Sequence, residues 1–132
     1  MYAEVYTLGT EPRIEDRGAM KRQTLIGMLK VLSVPTRLSI FDMLMEGVQC
    51  NCEIAERLGL SLSLISHHLQ ILHQVGLVQR ERDADDARWI YYSINREALV
   101  QLDEEMRHLL DVNRIQPRVP SCGPRAVVTA EG

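Results

Sequence analysis

The chain has 132 residues, 45% of them hydrophobic and 25% charged, with a formal net charge of -3. This is enough apolar sequence for one globular core, and the charge excludes a protein that holds a polyanion by bulk attraction alone. Three cysteines, no apolar run of about 18 residues and no signal-peptide pattern exclude a disulfide scaffold and a membrane partner, so a reduced, cytoplasmic setting is expected.

Residues 1–16 show no clean period and contain Gly9 and Pro12, which predicts an N-terminal arm. From Arg17 to Leu32, Met20, Ile26, Met28, Leu29 and Leu32 recur at near-helical spacing, giving a first helix that Ser33-Val34-Pro35 interrupts. Pro35 can sit in the first turn of a second helix, "PTRLSIFDMLMEG", which Gly47 stops. Asn51 is a good N-cap for a short third helix, "CEIAERLG", ended by Gly59. Ser61 caps a fourth, with Ile65, Leu69, Leu72 and Val75 as its buried stripe and Gly76 as its terminator. Two helices joined by the short Gly59-Leu60 turn are a helix-turn-helix candidate.

After Gly76 the period changes. "LVQRERD" and "RWIYYSI" are rich in β-branched and aromatic residues and flank the polar loop "ADDA", which predicts a hairpin. A fifth helix follows, capped by Asn95, with Leu99, Leu102, Met106, Leu109 and Leu110 on one side. The fold class expected is therefore mainly α with a small β-hairpin, a winged helix-turn-helix of order ααααββα spanning residues 17–113. Residues 114–132, with Pro117, Pro120, Gly123 and Pro124, form an extended or disordered tail that carries Cys122.

On the fourth helix Ser63, Ser66, His67 and Gln70 stand at i, i+3, i+4 and i+7, opposite the apolar stripe. Their side chains donate and accept hydrogen bonds without formal charge, which suits contact with base edges, with Ser61 at the start of the same helix. Phosphate attraction then falls to Arg80, Arg82 and Arg88 on the hairpin, with Arg37, Lys21 and Arg22 as further candidates. His68 points to the core side and is expected to be a hydrogen-bonded packing residue.

Through "LKVLSVPTRLSIFDMLMEG", "CNCEIAERLGLSLSLISHHLQILHQVGLV" and "RWIYYSI", about Leu29 to Ile94, the chain resembles the ArsR/SmtB family of winged-helix repressors. The resemblance implies a homodimer built on helices one and five, binding an inverted-repeat operator in double-stranded DNA and released by its inducer. Two apolar helix faces independently need a partner surface.

Cys50 and Cys52 flank Asn51 at the start of the third helix; the helix N-terminus should favour thiolate at Cys52 in the first turn, with Cys50 just outside it. So short a spacing disfavours a disulfide between them, and a shared soft ion is the better use. In the family a Cys-x-Cys here marks arsenite and antimonite sensors, implying As(III) or Sb(III) as inducer and no organic cofactor. Trivalent arsenic takes three sulfur donors, and Cys122 is the one further thiol in the chain. The same cysteines could serve cadmium, lead or zinc, or thiol oxidation with Cys122 as resolving thiol. The family's other metal site, on the last helix, is discounted: Asp103 is followed by Glu104 and Glu105, expected to be a solvated acidic face, and His108 is five residues on. A thiol enzyme would need a concave site and an oriented histidine, and no such constellation is legible.

Overall fold

The computed structural model describes residues 20–125. The expected arm at 1–16, the first residues of the expected first helix and the end of the tail lie outside the described residues. Helix α1 runs Arg22–Leu32 and α2 runs Pro35–Leu44, with their axes bent by 100° at the break between them. The bend has a local cause: Val34, forced out of helical geometry by the proline after it, is extended at φ -89, ψ 122. No single helix among the described residues is long and apolar enough to cross a membrane.

Strand β1, Gln49–Cys50, was not expected from the sequence, because two residues carry no alternation to read. Helix α3 (Asn51–Leu58) and α4 (Leu62–Gln74) follow, then β2 (Val78–Arg82), β3 (Ile90–Ile94) and α5 (Arg96–Leu109). The sheet has order β1-β3-β2 and is antiparallel throughout, with Cys50 opposite Tyr91 and Arg80 opposite Tyr92. The hairpin thus has a third, minimal strand that ties it to the start of α3. Gln49 reinforces the tie: its buried side-chain amide donates to Met43 O at 2.7 Å, satisfying a carbonyl near the end of α2. A 3-10 turn, Val112–Arg114, follows α5, and residues 115–125 hold no helix or strand.

The turn between α3 and α4 is set by Gly59, at φ 68 in the left-handed region, where a side chain would be strained. Ser61 Oγ then accepts the Leu64 N–H at 3.2 Å and caps α4. Asn95 caps α5 through the Ala98 N–H, while its own amide donates to Gly76 O at 3.0 Å, fastening the start of α5 to the end of α4. Ile40, Leu44, Ile54, Ile65, Leu69, Leu72, Leu77 and Val78 are fully buried and join α2, α3, α4 and the hairpin in one core. Each such side chain contributes roughly 1.5–3 kcal/mol.

Two expectations are corrected here. The N-cap of α3 is Cys50, not Asn51: Cys50 Sγ accepts the Glu53 N–H, and Glu53 Oε1 accepts the Cys50 N–H at 2.9 Å, a reciprocal capping box. The acidic run on α5 is not a uniformly solvated face either. Asp103 is exposed and bonded to Arg107 Nε at 2.8 Å, but Glu105 is only 6% exposed, because it lies three residues from buried Leu102 and shares its side of the helix. Leu109 and Leu110, expected on the apolar side of α5, are exposed in the single chain, as is Leu29 of α1.

Leu69→Ala should lower stability by about 2–5 kcal/mol through lost burial and a residual cavity. Urea unfolding at fixed protein concentration, followed by circular dichroism, measures this.

Candidate functional site

Helix α4 separates its faces as its sequence dictates. Ile65, Leu69 and Leu72 are fully buried, whereas Ser61, Ser63, His67 and Gln70 are exposed. Ser66 is the half-buried member of the polar set, because its Oγ accepts a 2.9 Å hydrogen bond from Asn51 Nδ2 of α3. His68 is half buried as expected, but no hydrogen-bond partner meets its buried Nδ1. Burial, then the charge of Arg37, then His67 hold its pKa below the ordinary histidine value. The ring centroids of His67 and His68 are 5.8 Å apart and the rings are tilted by 55°.

The hairpin arginines differ in what holds them. Arg80 is exposed and makes no ion pair among the described residues. Arg82 donates to Ala87 O at 2.7 Å across the loop. Arg88 grips Asp86 with two bonds, at 3.0 and 2.8 Å, which offsets its charge at the tip. Asp83 Oδ2 accepts the N–H groups of Asp85 and Asp86, building the turn that presents them. Of the further basic candidates, Lys21 is exposed, Arg22 is half buried, and Arg37 donates to Val31 O at 2.9 Å.

Cys50, the N-cap, and Cys52, in the first turn, flank Asn51 at the start of α3. Cys50 is 6% exposed and held in β1, while Cys52 is exposed. Burial, followed by the neighbouring Cys52 thiol, pushes the Cys50 thiol above its ordinary pKa. Cys52 opens onto a shallow depression of about 420 Å³ lined by Asn51, Leu62, Arg88, Trp89 and Ile90. Cys122 is exposed in the tail, and no cluster of three or more Cys, His, Asp or Glu side chains that could hold a metal ion occurs among the described residues. One chain therefore brings Cys50 and Cys52 together and leaves Cys122 apart. Sequence reasoning missed the role of Asn51 and Glu53. The Cys-x-x-Glu spacing of a capping box was present, with Cys in the place usually taken by Ser or Thr.

The sequence model for bacterial regulatory proteins of the arsR family matches residues 34–80. The chain is 39% identical over 72 residues to the transcriptional repressor SdpR of Bacillus subtilis, covering 54% of this chain and 77% of that one. It is 32% identical over 87 residues to the arsenical resistance operon repressor of Staphylococcus xylosus, covering 66% of this chain and 81% of that one. Among solved structures, the homodimeric winged helix-turn-helix DNA-binding domain of a possible ArsR-family regulator from Mycobacterium bovis superposes with a TM-score of 0.52. It is 33% identical and covers 65% of this chain and 84% of that one.

Exposure and ionisation together predict alkylation order. At pH 7.5 iodoacetamide should label Cys52 and Cys122 well before Cys50, as read by peptide mass spectrometry. A second expectation concerns His68: with its folded pKa held below the ordinary 6.5, the stability present above 6.5 is lost progressively as pH falls below that value and through the lower folded one. Acidifying from pH 7.5 to 5.5 should lower the urea midpoint more in the wild type than in His68→Gln.

Proposed function

We propose, for a chain that belongs to the arsR family of bacterial regulatory proteins, that the inducer is trivalent arsenic or antimony bound by cysteine thiolates. Family membership makes the chain a winged-helix, DNA-binding regulator of transcription rather than an enzyme. In this reading a homodimer joined through α1 and α5 binds an inverted-repeat operator and represses. Exposed Leu29, Leu109 and Leu110 on those helices supply an apolar surface for a second copy. Two-fold symmetry would set the two α4 helices about 34–36 Å apart, one turn of DNA.

Ser61, Ser63, Ser66, His67 and Gln70 would meet base edges, with Arg80, Arg82 and Arg88 on the phosphates. Arg80 is the member of the second set best prepared for this, since Arg88 must first share or release Asp86. The single observation that carries the inducer assignment is the pair of thiols at the start of α3, the helix packed directly on α4. Each As–S bond forms from one thiol and one As–OH group and releases one water. Two donors from Cys50 and Cys52 leave one position on a three-sulfur ion, which Cys122 of the same or a second subunit would fill.

Because α3 packs on α4, an ion that changes the geometry of the first turn of α3 can alter the spacing of the reading helix. For release, the ion must bind the free form more tightly than the DNA-bound form, and DNA must weaken ion binding by the same factor. An alternative keeps the site and changes the signal to cadmium, lead or zinc, or to oxidation. The cadmium resistance regulatory protein CadC homolog of Staphylococcus aureus, 33% identical over 79 residues, favours keeping that arm in the test.

The test uses a DNA duplex selected by the wild-type chain from a random-sequence pool, with arsenite, cadmium or peroxide added. Cys50→Ser and Cys52→Ser should keep duplex affinity within about threefold and lose release by arsenite at least tenfold. Release as complete as the wild type would remove these cysteines from the site, and unchanged arsenite affinity in Cys122→Ser would remove the tail.

A further inference from the structure

Asn51 is the residue between the two thiols, and its side chain reaches the DNA-reading helix. The bond from Asn51 Nδ2 to Ser66 Oγ, 2.9 Å long and half buried, spans 15 positions in sequence. It joins the first residue of α3 to the polar face of α4 by a direct contact, separate from the apolar packing between those helices. We infer that Asn51 is the positioning residue through which ion binding at Cys50 and Cys52 reaches Ser66, an inference that rests on the thiol pair being the inducer site.

Three features make the bond responsive. First, an ion holding the sulfurs of residues 50 and 52 fixes both of their side-chain torsions and restricts the two soft backbone dihedrals of the residue between them. A hydrogen bond weakens steeply once its angle closes below about 120°, so a modest rotation at residue 51 is enough to break it. Second, Cys50 Sγ is also the cap of α3, accepting the Glu53 N–H. A bond from the ion replaces the S–H bond and leaves that sulfur its lone pairs, but it fixes where they point, so the cap is turned away from the Glu53 N–H and the turn in which Asn51 sits is loosened; a helix of 8 residues has little stability of its own to resist. Third, Ser66 accepts from Asn51, which leaves its own hydroxyl hydrogen to donate outward. Released, the hydroxyl can turn back to a carbonyl one turn earlier in α4, and the donor is withdrawn from the groove.

The link is tested in the full chain with arsenite as probe and the selected duplex as DNA. Asn51→Ala should bind arsenite in the DNA-free state within about twofold of the wild type. Its ratio of duplex affinities without and with arsenite should nevertheless fall at least fivefold, within the range of ordinary coupling factors. Ser66→Ala should show the same loss, the double variant no further loss, and Ser66→Thr, which keeps the hydroxyl, should retain the wild-type ratio. Fully retained coupling in Asn51→Ala and Ser66→Ala would overturn the proposal and leave the signal to the apolar contact between the helices. Should Asn51→Ala fail to fold, amide hydrogen exchange decides. Arsenite should then speed exchange at residues 64–67 in the wild type but not in Ser66→Ala, and an equal response in both overturns the link. Failure of the underlying reading looks different: arsenite would not protect Cys50 and Cys52 of the wild type from alkylation, and the link would fall with it.

Discussion

The burial of Ile54 on α3 and of Ile65, Leu69 and Leu72 on α4 in one core is the contact on which the rest depends. Neither helix is stable by length alone: α3 has 8 residues and α4 has 13, at or below the size at which an isolated helix is marginal in water. Their order comes from apolar faces turned toward each other and toward the hairpin. That same constraint turns Ser63, His67 and Gln70 outward and leaves the first turn of α3 at the rim, where Cys52 is exposed. The polar face of α4 and the thiol-bearing start of α3 are thus held at fixed separation by a few aliphatic side chains.

Much of this organisation was legible because it rests on local rules. Pro35 marked the break between α1 and α2, Ser61 and Asn95 capped the helices they precede, and the change of period after Gly76 marked the hairpin. What escaped has physical reasons. β1 is too short to have a period, and its pairing with Tyr91 and Tyr92 is a contact across more than 40 positions. Cys50 was passed over as a cap because thiols are weak acceptors beside hydroxyl and carboxylate groups. Glu105 sat within a run of charges, and only the turn of the helix carries it to the side of Leu102. The orphan Nδ1 of His68 could not be read at all, since the absence of a partner is a property of the packed neighbourhood.

For the candidate site, the sequence placed two thiols at one helix start and four polar groups on one helix face. It could not show that the residue between the thiols hydrogen-bonds to one of those groups, because Asn51 and Ser66 are neighbours only once α3 and α4 are docked. Nor could it distinguish the hairpin arginines, which look alike in a row of charges. In the fold Arg80 is open, Arg82 braces the loop, and Arg88 is bound to Asp86. With a formal net charge of -3 over the whole chain, these differences decide how much positive charge the hairpin leaves unpaired at its surface.

The two residues of β1 also determine what kind of object the DNA meets. An isolated two-stranded hairpin is marginally stable in water, and by itself it would swing relative to the helices. Paired through Gln49 and Cys50, and fastened at its base by Asn95, it forms one body with α2, α3 and α4. The span from reading helix to wing tip is then a constant of the fold, like the distance between two teeth of a key. Outside that body, Leu29 of α1 and Leu109 and Leu110 at the end of α5 remain uncovered in the single chain.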